Sequence, residues 1–333
     1  MIKAYAAHKP SSKLEPFEYE PGSLKDEEIE VEVEYCGICY SDVHLIDNDW
    51  KTSQYPLVPG HEIVGVIALL GKKVTHLKVG QRVGIGWNSH SCMTCANCMS
   101  GDHNLCFDRQ AIVAVGRHGG FADRVRVDAA RAIPIPELMN PEKAGPFLCA
   151  GITVFNPIEQ FNVKPTDRVG VIGIGGLGHL AVQFLNAWGC EVTAFSSHPD
   201  KEAEARELGA DNFINSRDPE ILKKWQNYFD FIISTVHVDL QWSSYLAALR
   251  SKGKLTIVGV NPNPIEVSVL EILGQKSLSS SHTGSPATIF RMLEFAARHQ
   301  IEPITETFPI EQVNDAIAHL KAGKARYRVV LKV

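Results

Sequence analysis

The feature that most constrains the fold of this chain is a glycine-rich turn between a short apolar segment and a helix-like one. Residues 169–172 (VGVI) run into residues 173–178 (GIGGLG), which is the pattern G-x-G-x-x-G. Glycines at this spacing permit a tight turn and let the backbone approach a pyrophosphate, which the N–H groups of the following helix then face. Such turns also occur for structural reasons alone, so the context decides. The predicted dinucleotide-binding residues of the turn are Gly173, Gly175, Gly176, Leu177 and Gly178.

The segments around this turn alternate between strand-like and helix-like patterns. Strands are predicted at 168–172, 191–196, 212–215, 230–234, 254–258 and 277–279, with helices at 177–188, 201–208 and 240–250. Alternation of this kind predicts βαβ units and a parallel sheet. Six such strands complete a doubly wound (Rossmann) fold, so the context favours a dinucleotide site at the turn.

The end of the second predicted strand indicates which dinucleotide binds. An NAD site usually carries Asp or Glu about 20 residues after the first glycines. This chain has Ser196 and Ser197 there instead, with Lys201 close behind. Two hydroxyls and an ammonium group suit a 2′-phosphate and predict NADP(H). The same segment also resembles a helix start with Pro199 at its first position, which is the structural alternative.

The first third of the chain has β character. Residues 29–35 alternate apolar and acidic side chains, as a strand with one buried face does, and residues 63–70 and 79–86 add short apolar segments. The sequence therefore predicts a compact, partly barrelled β domain over residues 1–150, followed by the dinucleotide domain over 151–285. The segment 286–333 is expected to return to the first domain, with helices at 286–298 and 310–322 and a strand at 326–333.

Four cysteines lie close together at Cys92, Cys95, Cys98 and Cys106, in the pattern C-x2-C-x2-C-x7-C. Clustered cysteines in a chain without a secretory signal are better interpreted as metal ligands than as a disulfide framework. Four thiolates around Zn²⁺ make a closed structural site, which predicts a zinc lobe over residues 92–106. A [4Fe–4S] cluster is the open alternative. A nucleic-acid-binding finger is disfavoured because the segment has no basic stripe.

A second, dispersed set of metal-binding residue types consists of Cys39, His61 and Cys149. One imidazole and two thiolates would leave Zn²⁺ an open fourth position, which catalysis requires. Spacing alone leaves a second interpretation open, in which His61 is a buried histidine and Cys149 is a core cysteine.

Composition excludes several classes of partner. A formal net charge of -5 gives no electrostatic reason to approach nucleic acid or an anionic membrane. The first residues contain no long apolar segment, and the apolar runs elsewhere are too short to cross a bilayer. We therefore expect a cytoplasmic protein without nucleic-acid or membrane partners.

Taken together, these motifs resemble the zinc-dependent medium-chain dehydrogenase/reductase superfamily, and within it the cinnamyl-alcohol-dehydrogenase branch with the related bacterial NADPH-dependent aldehyde reductases. The similarity runs almost from end to end. Beside the four-cysteine segment it is carried by CGICYSD (36–42), YPLVPGHE (55–62), VGQRVGIGW (79–87), CAGITVF (149–155), GVIGIGGLGH (170–179) and KARYRVVLK (324–332). It implies a GroES-like catalytic domain, a Rossmann domain, two zinc ions per chain and NADP(H).

The resemblance also implies how the catalytic zinc is held. Cys39, His61 and Cys149 would be its ligands, and Glu62 would be a close neighbour and an occasional alternative ligand. Asp42 would orient His61, as the hydrogen-bond partner of a ligating imidazole usually does.

Proton transfer and cofactor contacts are implied in the same way. Ser41 and His44 match the family's proton relay from the substrate oxygen to solvent. Thr153 falls where the family contacts the nicotinamide, and Arg326 falls near its pyrophosphate arginine. Tyr40 departs from the pattern, because the position after the ligand cysteine is commonly His or Arg.

The activity implied is hydride transfer between NADP(H) and an aldehyde or primary alcohol, most of all broad-specificity aldehyde reduction. Trp50 and Trp87 are candidates for the substrate pocket, although most tryptophans belong to a core. A zinc-independent quinone or enoyl reductase would lack the dispersed cysteine and histidine set. A non-catalytic dinucleotide-binding sensor or structural protein would bind cofactor without turnover. Family members commonly dimerise through their cofactor domains, so a homodimer is expected.

Overall fold

The computed structural model describes residues 1–107, 111–218, 220–261 and 263–333. The strands in these ranges are β1 (Ile2–Ala6), β2 (Glu15–Tyr19), β3 (Glu28–Ile38), β4 (Glu62–Leu70), β5 (Arg82–Ile85), β6 (Asn88–His90), β7 (Ala111–Ile112), β8 (Arg124–Asp128), β9 (Ile133–Pro134), β10 (Arg168–Ile172), β11 (Glu191–Ser196), β12 (Asn212–Asn215), β13 (Phe229–Ser234), β14 (Leu249–Ile257), β15 (Ser277–Ser280), β16 (Thr305–Pro309) and β17 (Arg328–Lys332). The α-helices are α1 (Tyr40–Asp47), α2 (Ala96–Met99), α3 (Pro141–Ala144), α4 (Ala150–Gln160), α5 (Gly178–Trp188), α6 (Glu202–Glu207), α7 (Trp242–Ala248), α8 (Val269–Ile272), α9 (Pro286–Arg298) and α10 (Val313–Lys321).

The chain divides into two compact units. The first unit comprises Met1–Ile152, Thr283–Arg298 and Glu302–Val333, and the second comprises Thr153–His282 and His299–Ile301. Among the described residues, no helix is both long enough and apolar enough to cross a membrane. None of the eight cysteines forms a disulfide bond.

The second unit is built on a six-stranded sheet with the order β12-β11-β10-β13-β14-β15, in which every pair is parallel. This confirms the predicted doubly wound fold, and each predicted strand overlaps an observed one. The strand order reverses between β10 and β13, which is the position where such sheets bind ligands at the carboxyl ends of their strands. The strands are apolar because both faces of the sheet are covered, and Val169 and Val171 are fully buried.

The first unit has a mostly antiparallel sheet with the order β16-β17-β3-β4-β5-β9, and β8 pairs with β3 beside this path. The C-terminal strand β17 returns to pair antiparallel with β3, while its other edge pairs parallel with β16. The long strand β3 therefore organises the unit, because it contacts β4, β8 and β17. Its last residues lead directly into α1.

The acidic face of β3 differs from the expectation of one buried face. Glu30 is buried, and its carboxylate accepts hydrogen bonds from Arg124 (3.0 Å) and Arg126 (2.7 Å). Both arginines belong to β8, whose register places Arg126 directly opposite Glu30. The predicted strand is thus confirmed, but the face that carries Glu30 is covered as well, because the neighbouring strand β8 brings opposite charge to it.

Several elements were not predicted, among them α1 within the β-rich region, α4 directly after Cys149, and β16. The predicted helix 310–322 begins as a 3-10 turn, Ile310–Gln312, before α10. The final strand is shorter than predicted and comprises Arg328–Lys332. These differences concern boundaries and short elements, where sequence periodicity carries little information.

Candidate active site

The buried carboxylate of Asp42 ties two chain segments together at the start of α1. Asp42 Oδ2 accepts a hydrogen bond from the Cys39 N–H (2.9 Å), and Oδ1 accepts from the Gly60 N–H (2.9 Å) and lies 2.9 Å from His61 Nδ1. Asp42 and His61 are both fully buried. Since a carboxylate accepts hydrogen bonds, His61 Nδ1 carries a proton, which leaves Nε2 as the ring nitrogen that can bind a metal.

The three residues predicted to bind the catalytic metal lie together in the first unit. His61 Nε2 lies 3.3 Å from Cys149 Sγ, which lies 3.7 Å from Cys39 Sγ. The donor atoms of these residues and of Glu62 all lie within 4.8 Å of one another. Thiolates bound to one tetrahedral Zn²⁺ at about 2.3 Å are separated by an edge of about 3.8 Å. The donor set and its spacing therefore fit a single zinc ion.

Glu62 is held by a buried arginine that the sequence did not suggest. Its Oε1 accepts a hydrogen bond from the guanidinium of Arg328, while its Oε2 has no partner among the described residues. Burial raises the pKa of Glu62 to about 7, although the positive charge of Arg328 acts against that shift. One carboxylate oxygen is thus anchored and the other is available beside the metal ligands.

Arg326, the residue predicted to approach the pyrophosphate, has surroundings that differ from those of the buried Arg328. Its side chain is exposed, its guanidinium carbon lies 5.9 Å from the centre of the Tyr327 ring, and its N–H donates to Glu306 (2.6 Å). The strand β17 instead places Arg328, two residues further on, at Glu62. Only the pairing of β17 with β3 creates that contact, and no local sequence pattern signals it.

The predicted relay residues lie on α1. Ser41 Oγ lies 3.6 Å from Cys39 Sγ, which places the hydroxyl beside the metal-binding cluster. His44 Nδ1 lies 2.6 Å from the carboxylate of Asp49, a partner that the sequence analysis missed. The His44 ring also contacts Tyr40, with the ring centroids 5.2 Å apart. Tyr40 therefore covers the first turn of the helix with a neutral ring.

The two candidate pocket tryptophans lie around the same cluster. Trp87 packs edge-on against His61, with ring centroids 4.8 Å apart, and Trp50 contacts Trp87 at 6.0 Å. Trp50 also contacts His44 at 5.2 Å. The structure thus brings Trp50 and Trp87 together, next to the metal-binding and relay residues.

The four-cysteine segment folds so that its sulfurs converge. The Sγ–Sγ distances are 3.6 Å for Cys92–Cys106, 3.9 Å for Cys95–Cys106 and 4.0 Å for Cys92–Cys98. These values match the edge of about 3.8 Å expected around one zinc ion. In a [4Fe–4S] cluster each thiolate binds a different iron atom, which holds the sulfurs further apart. The spacing therefore favours the structural zinc site over the cluster.

Backbone amides also favour the thiolate form of Cys92. Cys92 Sγ accepts a hydrogen bond from the Cys95 N–H (3.2 Å). The N–H groups of Thr94 and Cys95 lower the pKa of the Cys92 thiol to about 6. A thiol that is deprotonated at neutral pH is the form that binds a metal.

The predicted dinucleotide turn is built as its glycines require. Gly173 has φ +89°, and a Cβ on Gly178 would lie 1.8 Å from the Gly173 carbonyl oxygen. By contrast, a Cβ on Gly175 would meet no atom within 4 Å, so this side of the turn is open. Gly176 and Leu177 are half-buried in the same turn, and Thr153 is half-buried in α4.

The residues predicted to hold a 2′-phosphate lie close to this turn. Lys201 Nζ donates to the Ile174 carbonyl oxygen (2.6 Å), so the ammonium group reaches the glycine-rich turn. Ser196 is buried and its hydroxyl oxygen accepts from the His198 N–H (3.1 Å), while Ser197 is half-buried. Each of these residues belongs to the second unit.

Comparison with known proteins places these sites in context. A family model described as alcohol dehydrogenase GroES-like domain matches residues 25–137, and one described as zinc-binding dehydrogenase matches residues 176–298. The chain is 52% identical to aldehyde reductase AdhA of Synechocystis sp. over 99% of this chain and 98% of that protein. It is 40% identical to the probable cinnamyl alcohol dehydrogenase 3 of Oryza sativa, over 98% of this chain and 92% of that protein.

Solved structures give the same relationship. The cinnamyl alcohol dehydrogenase SbCAD4 from Sorghum bicolor superposes with a TM-score of 0.94 at 36% identity, covering 99% of this chain and 97% of that one. The CAD from Helicobacter pylori complexed with NADP(H) superposes with a TM-score of 0.91 at 30% identity, with the same coverage of 99% and 97%.

Proposed function

Since the chain belongs to the zinc-dependent medium-chain alcohol dehydrogenases, in the branch of the cinnamyl alcohol dehydrogenases, we propose that it reduces a broad range of aldehydes to primary alcohols with NADPH. The observation that carries the proposal is the buried cluster of Cys39, His61 and Cys149, with donor atoms spaced for one metal ion. The alternative, a non-catalytic dinucleotide-binding protein, gives no reason for such a cluster beside two tryptophans and a serine hydroxyl.

We assign two zinc ions to the chain. At Cys39, His61 and Cys149, zinc would supply a Lewis acid with an open position for the carbonyl oxygen. Asp42 orients His61, and the Arg328 guanidinium keeps Glu62 beside the ligands as an alternative one. The second zinc is structural, with the ligands Cys92, Cys95, Cys98 and Cys106.

Protons reach the substrate through α1. The Ser41 hydroxyl, next to Cys39, donates a proton to the oxygen that becomes the alcohol. His44 restores that proton from solvent, and Asp49 fixes the orientation of its ring. Trp50 and Trp87 form an apolar wall that excludes water and selects substrates by shape.

The second unit binds NADP(H). The glycine-rich turn holds the pyrophosphate at the N-terminus of α5, because the open side at Gly175 leaves room for the phosphates. Lys201 leaves the Ile174 carbonyl oxygen for the 2′-phosphate, which is a stronger, charge-assisted partner. The remaining cofactor contacts that we propose are Thr153, Ser196, Ser197 and Arg326.

We further propose that two copies of the chain form a cytoplasmic homodimer. Within the described ranges, the edge strand β15 pairs on one side only, with β14. Near it in the chain, α8 and the residue that follows it expose the apolar side chains Val269, Leu270 and Leu273. A second copy would bury these side chains and extend the sheet. Sedimentation of Leu270→Glu as a monomer, beside a dimeric wild type, is the expected result, and an unchanged dimer would exclude this surface.

The activity is tested by following NADPH and NADH oxidation with a panel of aliphatic and aromatic aldehydes, for wild type and His61→Ala. We expect turnover that prefers NADPH and that His61→Ala abolishes in a folded protein. His76→Ala, which changes an exposed histidine, is the matched control and keeps activity. Tight NADPH binding by wild type without turnover of any aldehyde would overturn the proposal in favour of the non-catalytic alternative.

A further inference from the structure

His179 is a fully buried histidine that none of the roles above uses. It is the second residue of α5, the helix that begins at the glycine-rich turn. Its ring nitrogen Nδ1 lies 2.9 Å from the Gly175 carbonyl oxygen, and its backbone N–H donates to the same oxygen at 3.0 Å. Because a carbonyl oxygen only accepts hydrogen bonds, Nδ1 carries a proton. Two donors thus hold the Gly175 carbonyl, although one donor is enough to satisfy a buried carbonyl group.

This double contact fixes the direction of a peptide unit that glycine leaves free to rotate. The Gly175 carbonyl and the Gly176 N–H belong to one planar trans peptide unit, so they point in opposite directions. Consecutive glycines have wide backbone freedom, and a Cβ on Gly175 would meet no atom within 4 Å. With the carbonyl directed towards His179, the Gly176 N–H points out of the N-terminus of α5, where the pyrophosphate is proposed to lie.

The start of the turn is held in a similar way from a neighbouring strand. Thr235 directly follows β13, and its hydroxyl oxygen lies 2.9 Å from the Ile172 carbonyl oxygen and 3.1 Å from that of Gly173. The hydroxyl also fills the hollow of the turn, because a Cβ on either Gly173 or Gly178 would lie 3.2 Å from it. Thr235 therefore directs the first carbonyl oxygens of the turn into the protein.

These two contacts can persist while the cofactor binds. The Ile174 carbonyl oxygen accepts from Lys201, which in the proposed function turns to the 2′-phosphate instead. The N-cap residue of α5, Leu177, makes no side-chain cap hydrogen bond, so an anion can take the place of such a cap. His179 and Thr235 contact carbonyl oxygens, which lie on the opposite side of their peptide units from the N–H groups that face the anion.

We propose that His179 and Thr235 are positioning residues for the dinucleotide, which turn the carbonyl oxygens of the glycine-rich turn into the protein and its N–H groups towards the pyrophosphate. This rests on the proposed binding of NADP(H) by the second unit. Loss of either contact lets a carbonyl oxygen rotate towards the phosphates, which repel its partial negative charge. Since NADPH and NADH share the pyrophosphate, both cofactors should be affected equally.

The experiment measures the dissociation constants of NADPH and NADH by nicotinamide fluorescence for purified wild type, His179→Leu and His179→Asn. Leucine fills much of the volume of the ring without a donor, whereas the asparagine Nδ2 can take the place of the imidazole Nδ1. We expect His179→Leu to bind both cofactors about threefold to tenfold more weakly, the range of one hydrogen bond, with a much smaller change in kcat than in KM. His179→Asn should restore most of the affinity. Lys201→Ala, by contrast, should weaken NADPH alone.

Gln183→Leu is the matched control. The Gln183 side chain donates to the His179 carbonyl oxygen (3.2 Å), which is a bond of the same kind one turn further along α5. This variant should leave both dissociation constants unchanged. Equal affinity of wild type and a folded His179→Leu, an equal loss in Gln183→Leu, a loss confined to NADPH, or no recovery in His179→Asn would each overturn the proposal.

Thr235→Val and Thr235→Ser test the other contact and decide the matter if His179→Leu does not fold. Valine keeps the shape of threonine without the hydroxyl, so it should weaken both cofactors, and serine, which keeps the hydroxyl, should not. Unchanged affinity in Thr235→Val would refute the proposal. A wild type that binds neither cofactor would contradict the proposed function as well, whereas a wild type that binds them and variants that bind them equally well contradict this inference alone.

Discussion

Replacement of Asp42 by asparagine tests how strongly one buried carboxylate organises the catalytic cluster. Asp42 accepts three hydrogen bonds of 2.9 Å, from the N–H groups of Cys39 and Gly60 and from His61 Nδ1. Asparagine keeps the shape but has a single acceptor oxygen. If that oxygen replaces Oδ1, the bonds to Gly60 and His61 survive, and the amide NH₂ of the new side chain faces the Cys39 N–H.

The expected loss in the free energy of unfolding follows from the number of hydrogen bonds that each variant removes. One hydrogen bond to a charged acceptor is lost and its buried donor is left unpaired, which costs about 1.5–3 kcal/mol in the free energy of unfolding. Asp42→Ala leaves three buried donors unpaired, at about 1–3 kcal/mol each, so it should cost at least about 3 kcal/mol. Asp42→Ala removes the partner that orients His61 and should lower the affinity for the catalytic zinc about 10- to 100-fold, while Asp42→Asn keeps a bond to a neutral acceptor and should lower that affinity by a smaller factor.

Urea unfolding and zinc titration of the purified variants measure these two quantities. Asp47→Asn is the control, because Asp47 lies on the same helix but forms a surface ion pair with Lys321. Such pairs contribute about 0–1 kcal/mol. If Asp42→Asn unfolded within about 0.5 kcal/mol of wild type and bound zinc equally well, the reasoning that Asp42 organises the cluster would be refuted.

Three further predictions concern the lobe, the cofactor and the pocket. Cys95→Ala removes one of the four zinc ligands of the lobe. It should lower the thermal unfolding midpoint by several degrees and make the protein more sensitive to chelators, with a smaller effect on kcat. A thermal midpoint equal to that of wild type would count against a structural lobe. Lys201→Ala should raise the KM for NADPH about tenfold or more while leaving that for NADH nearly unchanged, and equal effects on both would exclude a 2′-phosphate contact. Trp50→Ala and Trp87→Ala should shift kcat/KM towards bulkier aldehydes, and an unchanged substrate profile in both would remove these residues from the pocket.

The fold was predictable where the local conformation of a short segment depends on the residue types within that segment. The turn at Gly173 and Gly178 needs glycine for its backbone conformation and for the close approach of its carbonyl, so its pattern identified the dinucleotide fold. The alternation of strands and helices after it gave the parallel sheet.

The candidate site was predictable only in part. Sequence motifs indicated the cysteine and histidine sets, but the contacts of Glu62 with Arg328 and of Glu30 with Arg126 arise from strand pairing across long sequence separations. The local sequence around a charged residue in a strand does not indicate which other strand will pack over that residue.

The most direct test of the account is the zinc content per chain of wild type and His61→Ala, measured by elemental analysis on purified, zinc-replete protein. With two ligand clusters in the chain, we expect two zinc ions in wild type and one in His61→Ala, which keeps the four-cysteine lobe intact. Two zinc ions in both proteins, or one in both, would contradict the assignment of Cys39, His61 and Cys149 as a catalytic metal site.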